Sequence, residues 1–161
     1  MARALIVGCG CRGRQLGCAL ADDGWLVRGT SRTEEGRAAI AAAGLEAAAA
    51  DPDRVGTVLE LVGDVAVVVW LLGSASGAPE ELDALQGSRL ERLLEHLVDT
   101  PVRGFVYEAR GSAGEARLTA GADLVARASQ AWRIPSRTID VPRADKGWLG
   151  AAADAVRGAL A

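Results

Sequence analysis

Apolar residues along the chain come in short blocks divided by longer stretches of helical spacing. Residues 4–7, Ala-Leu-Ile-Val, form a short branched run ended by glycines, the pattern of a buried strand. Residues 14–21 read as a helix closed by Asp22-Asp23-Gly24, and residues 25–28 as a second strand leading into Gly29-Thr30-Ser31-Arg32. Residues 33–43 suit a helix, with Thr33 as cap, Glu34 and Glu35 in the first turn and Gly44 just past the end. Residues 45–50 are a weak strand, because alanine forms strands poorly, and residues 54–61 are helical. Residues 65–72 make the strongest strand. It shows no alternation, as a central strand covered on both faces should not. A loop, Gly73-Ser74-Ala75-Ser76-Gly77, precedes a helical region opened by Pro79, in which Leu90, Leu93, Leu94 and Leu97 form an apolar stripe. A strand over 102–107, a helix over 114–132, a strand over 136–141 and a helix over 148–160 complete the chain.

Strands alternating with helices predict parallel neighbours, since parallel pairs need crossovers. Right-handed crossovers then give an α/β fold: one doubly wound, parallel, six-stranded sheet with helices on both faces, the Rossmann arrangement. The length of 161 residues suits a single domain over 1–161. Charged residues are 24% of the chain, enough to argue against disorder, and the net charge of −3 gives no support to nucleic-acid binding. No apolar run approaches the roughly 18 residues of a membrane span, and the N-terminal run is too short for a signal peptide. A cytoplasmic protein without nucleic-acid or membrane partners is therefore expected. Lys146 is the only lysine, so an excess of arginine carries little weight. Cys9, Cys11 and Cys18 lie in one stretch and are odd in number, unlike a disulfide framework.

Gly8-Cys9-Gly10-Cys11-Arg12-Gly13 matches G-x-G-x-x-G between the first strand and the first helix. Gly8 would permit the tight turn, Gly10 the approach of a pyrophosphate, and Gly13 close helix–strand packing. The N–H groups opening the helix would hold the phosphates. The alternative is a glycine-rich turn above an empty site. At the end of the second strand an NAD site presents an acidic residue to the ribose. This chain offers Thr30, Ser31 and Arg32, which suit a 2′-phosphate, so NADP is favoured with NAD as the alternative. Arg12 could lie over the adenine or reach the same phosphate, while Arg28, Arg32 and Arg37 could instead be solvated surface. Asp51 could accept from the adenine amino group or cap the following helix before Pro52; the two are compatible. Cys9 and Cys11 fill variable positions of the loop. No metal-ligand spacing follows them, although Cys9, near a helix N-terminus, could have a lowered pKa. His96 reads as a surface residue.

Four stretches, ALIVGCGCRGRQLGCAL, VRGTSR, AAADPDR and ASQAWRIPSRTIDVP, resemble the short-chain dehydrogenase/reductase superfamily, in its atypical branch of epimerase-like and nitrogen-metabolite-repressor-like proteins. The resemblance implies NAD(P) bound by Gly8, Gly10, Arg12, Gly13 and Arg32, with Asp51 toward the adenine; Cys11, in the same loop, is expected among the cofactor-binding residues. It also implies Leu72-Gly73-Ser74 running beside the ribose. Active members carry a Tyr-x-x-x-Lys pair on the fifth helix. Here Tyr107, the only tyrosine, lies in the fifth strand with Gly111 in place of the lysine. A substrate lobe is expected to be absent or vestigial, because only residues 143–161 follow the sixth strand. The catalytic candidates that remain are Glu108, as a general acid or base of raised pKa or else a loop ion-pair partner, and Ser112. Three functions stay open: an NADP-dependent oxidoreductase or epimerase-like enzyme, a dinucleotide-binding sensor or regulatory subunit without catalysis, and a structural subunit. A homodimer through helices 88–99 and 114–132 is expected if their outward faces are apolar.

Overall fold

The computed structural model describes residues 1–161. Six parallel strands form one sheet: β1 (Arg3–Val7), β2 (Leu26–Ser31), β3 (Glu46–Ala49), β4 (Val67–Trp70), β5 (Gly104–Glu108) and β6 (Ser136–Ile139). Their order is β3-β2-β1-β4-β5-β6. The chain thus winds outward from β1 in one direction, then returns to β4 and winds the other way. Ligands of such sheets sit at the carboxyl ends of the strands, where the direction reverses, here between β1 and β4.

Seven helices cover the two faces: α1 (Cys11–Asp22), α2 (Glu34–Ala42), α3 (Val55–Leu59), α4 (Pro79–Leu85), α5 (Ser88–Leu97), α6 (Glu115–Trp132) and α7 (Trp148–Leu160). Successive side chains of a strand point to opposite faces, and the central strands are apolar on both. Leu5, Val7, Val68, Trp70, Phe105 and Tyr107 pack with the leucine stripe of α5 and with Leu118 and Val125 of α6. Ala4, Ile6, Val67, Val69, Val106 and Ile139 pack with Leu16 and Leu20 of α1, Ile40 of α2 and the alanine face of α7.

Several boundaries differ from those the sequence predicts. α1 begins at Cys11, three residues earlier, because the Gly10 carbonyl already accepts from the Arg14 N–H at 2.8 Å. β2 runs on to Ser31, carried by pairing with β3, whose alanines are held in the sheet by that partner. β5 includes Glu108, which becomes a strand residue opposite Ile139. The helical region after Pro79 breaks into α4 and α5 at Gly87, where a Cβ would lie 2.7 Å from the Asp83 carbonyl. The Thr33 cap forms as expected, its hydroxyl accepting from the Gly36 N–H at 3.0 Å. The outward face of α5 is charged, with Arg89, Glu91, Arg92, Glu95 and His96 exposed, so the apolar face that pairing would need is not present on this helix. No helix is long and apolar enough to cross a membrane.

Candidate functional site

β1 delivers the chain to Gly8, whose φ of +83° few other residues adopt. A Cβ at Gly8 would also meet Leu72 Cδ2 at 2.6 Å and the Leu71 carbonyl at 2.7 Å. The turn tightens as the Gly10 N–H donates to the Gly8 carbonyl at 2.9 Å, and α1 starts at the next residue. Gly13 sits under the turn, where a Cβ would lie 3.2 Å from Cys9 Sγ and 3.4 Å from Ile6 Cγ2, the close helix–strand packing expected of it. Gly10 has open space around its Cα, with nothing within 4 Å of a built Cβ. The first turn of α1 therefore presents backbone N–H groups and the positive end of its dipole to open space beside Gly10.

Cys9 behaves opposite to the sequence expectation. Its thiol is buried against Gly29 and Gly13, and desolvation pushes its pKa up to about 12 despite the nearby Arg14 charge. The side chain lies under the turn between Gly13 and Gly29, where burial outweighs the positive end of the helix.

Beside the loop, a cavity of about 340 Å³ spans the carboxyl ends of β1, β2 and β4. Gly8, Gly10, Thr30, Ser31 and Arg32 line one side; Leu72 and Ser74 line the other. The Thr30 carbonyl accepts from the Cys9 N–H at 3.1 Å, which ties the end of β2 to the glycine turn. Arg32 is exposed and forms no ion pair. Arg28 is taken up elsewhere, bonding Glu46 Oε1 at 2.9 Å and Asp64 Oδ1 at 2.8 Å, and Arg37 reaches the Ser31 carbonyl at 3.4 Å.

Cys11, Arg12, Gly13, Asp51 and Gly73 do not line the cavity. Cys11 is exposed on the outside of α1. Arg12 turns toward α7: its guanidinium stands 5.5 Å from the Trp148 ring centroid, and it donates to Gln15 Oε1 at 2.8 Å and to the Arg143 carbonyl. The Asp51 carboxylate folds back to accept from the Asp53 N–H at 3.0 Å, while Arg54 holds the cap position of α3; Asp51 makes a turn and not the helix cap. Gly73 lies behind Ser74, where a Cβ would stand 2.5 Å from the Arg110 carbonyl. Arg14 and Arg143 line the cavity and were missed from sequence. An earlier start for α1 would have placed Arg14 one turn inside it, facing the cleft; nothing in the sequence singles out Arg143.

Across β4 the sheet edge is filled by the protein itself. Glu108 is fully buried, and its carboxylate accepts from the Gly73 N–H at 2.7 Å and from Arg143 Nε and Nη2, each at 2.8 Å. It is the ion-pair partner weighed in the sequence, set at a strand end. The Tyr107 hydroxyl donates to Gln86 Oε1 at 2.7 Å, and Gln86 Nε2 donates to the Leu72 carbonyl at 3.0 Å. Burial, with the Glu108 charge beside it, holds the phenol well above its ordinary pKa. Ser112 is exposed beyond the cavity, its N–H 3.4 Å from Ser74 Oγ.

No protein-family model matches the chain, and no curated protein matches it in sequence. Solved structures do match in fold. A UDP-glucose 4-epimerase from Thermotoga maritima, solved with UDP-glucose, aligns with a TM-score of 0.71 at 11% identity, over 84% of this chain and 54% of that one. Vestitone reductase from alfalfa aligns at 0.68 and 16% identity, over 86% of this chain and 56% of that one. A short chain dehydrogenase/reductase family protein aligns at 0.64 and 18% identity, over 84% and 71%. The chain spans about half the length of the epimerase and the vestitone reductase. It shares with these structures a Rossmann fold.

Proposed function

We propose that the chain binds a nicotinamide dinucleotide, NADP in preference to NAD, across the glycine turn, and that it acts as a binding module without acid/base machinery of its own. The observation that carries this reading is the Gly8–Gly10 turn opening α1 at the point where the sheet reverses direction. The residues present fit such a group. The turn leaves open space where a diphosphate would lie, α1 supplies N–H donors, and Arg14 adds a cation that forms no ion pair. Thr30, Ser31 and Arg32 end β2 without a carboxylate, so a 2′-phosphate there would meet a guanidinium in place of a repelling charge. When bound, the cofactor would supply a hydride donor or acceptor.

The second half of the proposal rests on the groups around the cleft. Proton transfer needs a side chain that reaches the reacting atom with an available proton or lone pair. None of the candidates read from the sequence meets this: the Tyr107 phenol is sealed against Gln86, the Glu108 oxygens accept from Gly73 and Arg143, and Ser112 stands outside the cavity, which leaves Asp53 and Glu81 as the carboxylates of the cavity wall.

Calorimetric titration with NADP and NAD tests the reading. NADP is expected to bind roughly tenfold tighter, the worth of a charge-assisted contact, and Arg32→Asp is expected to reverse the order. Equal affinities in both proteins would remove the 2′-phosphate argument, and no heat from either nucleotide would remove the dinucleotide site.

A further inference from the structure

We infer that Arg143, on the loop after β6, is a phosphate-binding residue of the cleft, held in place by Arg12 and Glu108 acting as positioning residues. The inference rests on the nucleotide reading above and adds to it a wall that the glycine turn does not contain. Arg143 lines the same cavity as Gly8, Gly10 and Arg14. Its Nε and Nη2 are engaged by Glu108, and Nη2 also donates to the Leu71 carbonyl at 3.2 Å. Leu71 is the residue whose carbonyl crowds Gly8, so the guanidinium is anchored beside the turn itself. The remaining amine, Nη1, makes no hydrogen bond within the protein, and the side chain is 29% exposed while Glu108 is at 0%.

The anchoring is costly unless it serves something. Glu108 is a carboxylate withdrawn from water, and its desolvation is offset only by the Gly73 N–H and the two-point bond to Arg143. Such pairs are weak contributors to stability but fix geometry well, because a planar guanidinium bonded at both carboxylate oxygens cannot rotate. The backbone of residue 143 is held as well: Arg12 donates to its carbonyl, braced by the Trp148 ring and by Gln15. A loop residue that lines the cleft thus has both side chain and backbone fixed, with one donor group left free. An oxyanion lying on the N–H groups of α1 would meet Arg14 on the helix and Arg143 on the facing wall. The ligand chemistry this arrangement takes is a diphosphate. The same arrangement gives Arg12 a role: it steadies the residue that touches phosphate and does not touch the nucleotide.

The test compares ADP with adenosine, which lacks the diphosphate, by calorimetry and competition. Replacing Arg143→Met together with Glu108→Gln removes both charges and leaves no buried carboxylate unpaired. ADP affinity is expected to fall about 10- to 100-fold, with adenosine unchanged within about twofold. Arg12→Met, which leaves the ion pair intact, is expected to weaken ADP by a few fold and adenosine not at all. Should the double variant not fold, Arg143→Lys serves instead: it keeps a cation but loses the two-point bond, and ADP is expected to weaken about tenfold. Unchanged ADP affinity in these variants, or ADP and adenosine falling together, would overturn the role of Arg143. Wild-type protein that binds neither ADP nor NADP would overturn the nucleotide reading first, before any variant is made.

Discussion

The two halves of the sheet end differently at their carboxyl edges. On the side of β1, β2 and β3 the edge is open: glycines leave backbone N–H groups uncovered, and Arg14 and Arg32 carry charge without partners. On the side of β4, β5 and β6 the edge is laced shut. Gly73 donates to Glu108 and accepts from the Ala113 N–H at 2.9 Å, Tyr107 and Gln86 seal Leu72, and the Ser112 N–H meets Ser74 Oγ. Buried polar groups are costly unless satisfied, so the closed side is rigid and gains its order by consuming its own donors and acceptors. The open side leaves its donors free, and free donors are what a ligand can use. Arg143 stands on the border, bonded to the closed side and facing the open one.

Substitutions on either side should separate binding from stability. The largest effect is expected from Gly10→Val. A Cβ there meets no protein atom within 4 Å, so the fold and its unfolding midpoint should stay, while the branched side chain fills the space over the helix start. Nucleotide affinity, read by calorimetry, should drop at least about a hundredfold, as expected when phosphate loses its charge-assisted contacts. Gly121→Ala is the counterpart on the closed side. Its Cβ would stand 2.0 Å from the Tyr107 hydroxyl, forcing the phenol off Gln86. Denaturant unfolding should show a loss of about 2–3 kcal/mol, typical of an overpacked core, with ADP affinity unchanged. The smallest effect concerns Cys9 under the open side. Its pKa is about 12 in the folded chain against 9.0 for a free thiol, so the folded state keeps a proton that the unfolded state releases. Stability should therefore fall as pH rises from about 9 toward 12, by about 0.8 kcal/mol at pH 9.5 relative to pH 7. Cys9→Ala should flatten this slope in chemical unfolding followed across the same pH range.

What could be read from the sequence divides along similar lines. The strand–helix alternation, the glycine motif and the Thr33 cap are local patterns, and each is found where its spacing puts it. The roles of Gly8 and Gly13 follow from backbone geometry that the motif encodes. Side-chain direction was not legible. Arg12 and Arg14 are two residues apart on α1 and so face different ways, one to Trp148 and one to the cleft; the choice depends on where α1 starts and on α7, far along the chain. The burial of the Cys9 thiol is hidden from the sequence for a related reason: the helix dipole is local and visible there, whereas burial against Gly29 comes from β2. Glu108 reads as a loop residue until its pairing with β6 extends the strand, and its partner Arg143 lies 35 residues away.

The place of β1 in the middle of the sheet has a consequence for how the chain reaches this state. β1 pairs with β2 on one side and with β4 on the other, and β4 arrives only after two further strand–helix units. Until then the second edge of β1, wholly apolar from Ala4 to Val7, is bare, and unpaired edges of that kind invite association with other chains. Parallel pairing between distant segments is slow to form. The glycine-turn side of the cleft is thus encoded early but cannot stand alone, and a fragment ending after β3 is expected to aggregate where the complete sheet folds.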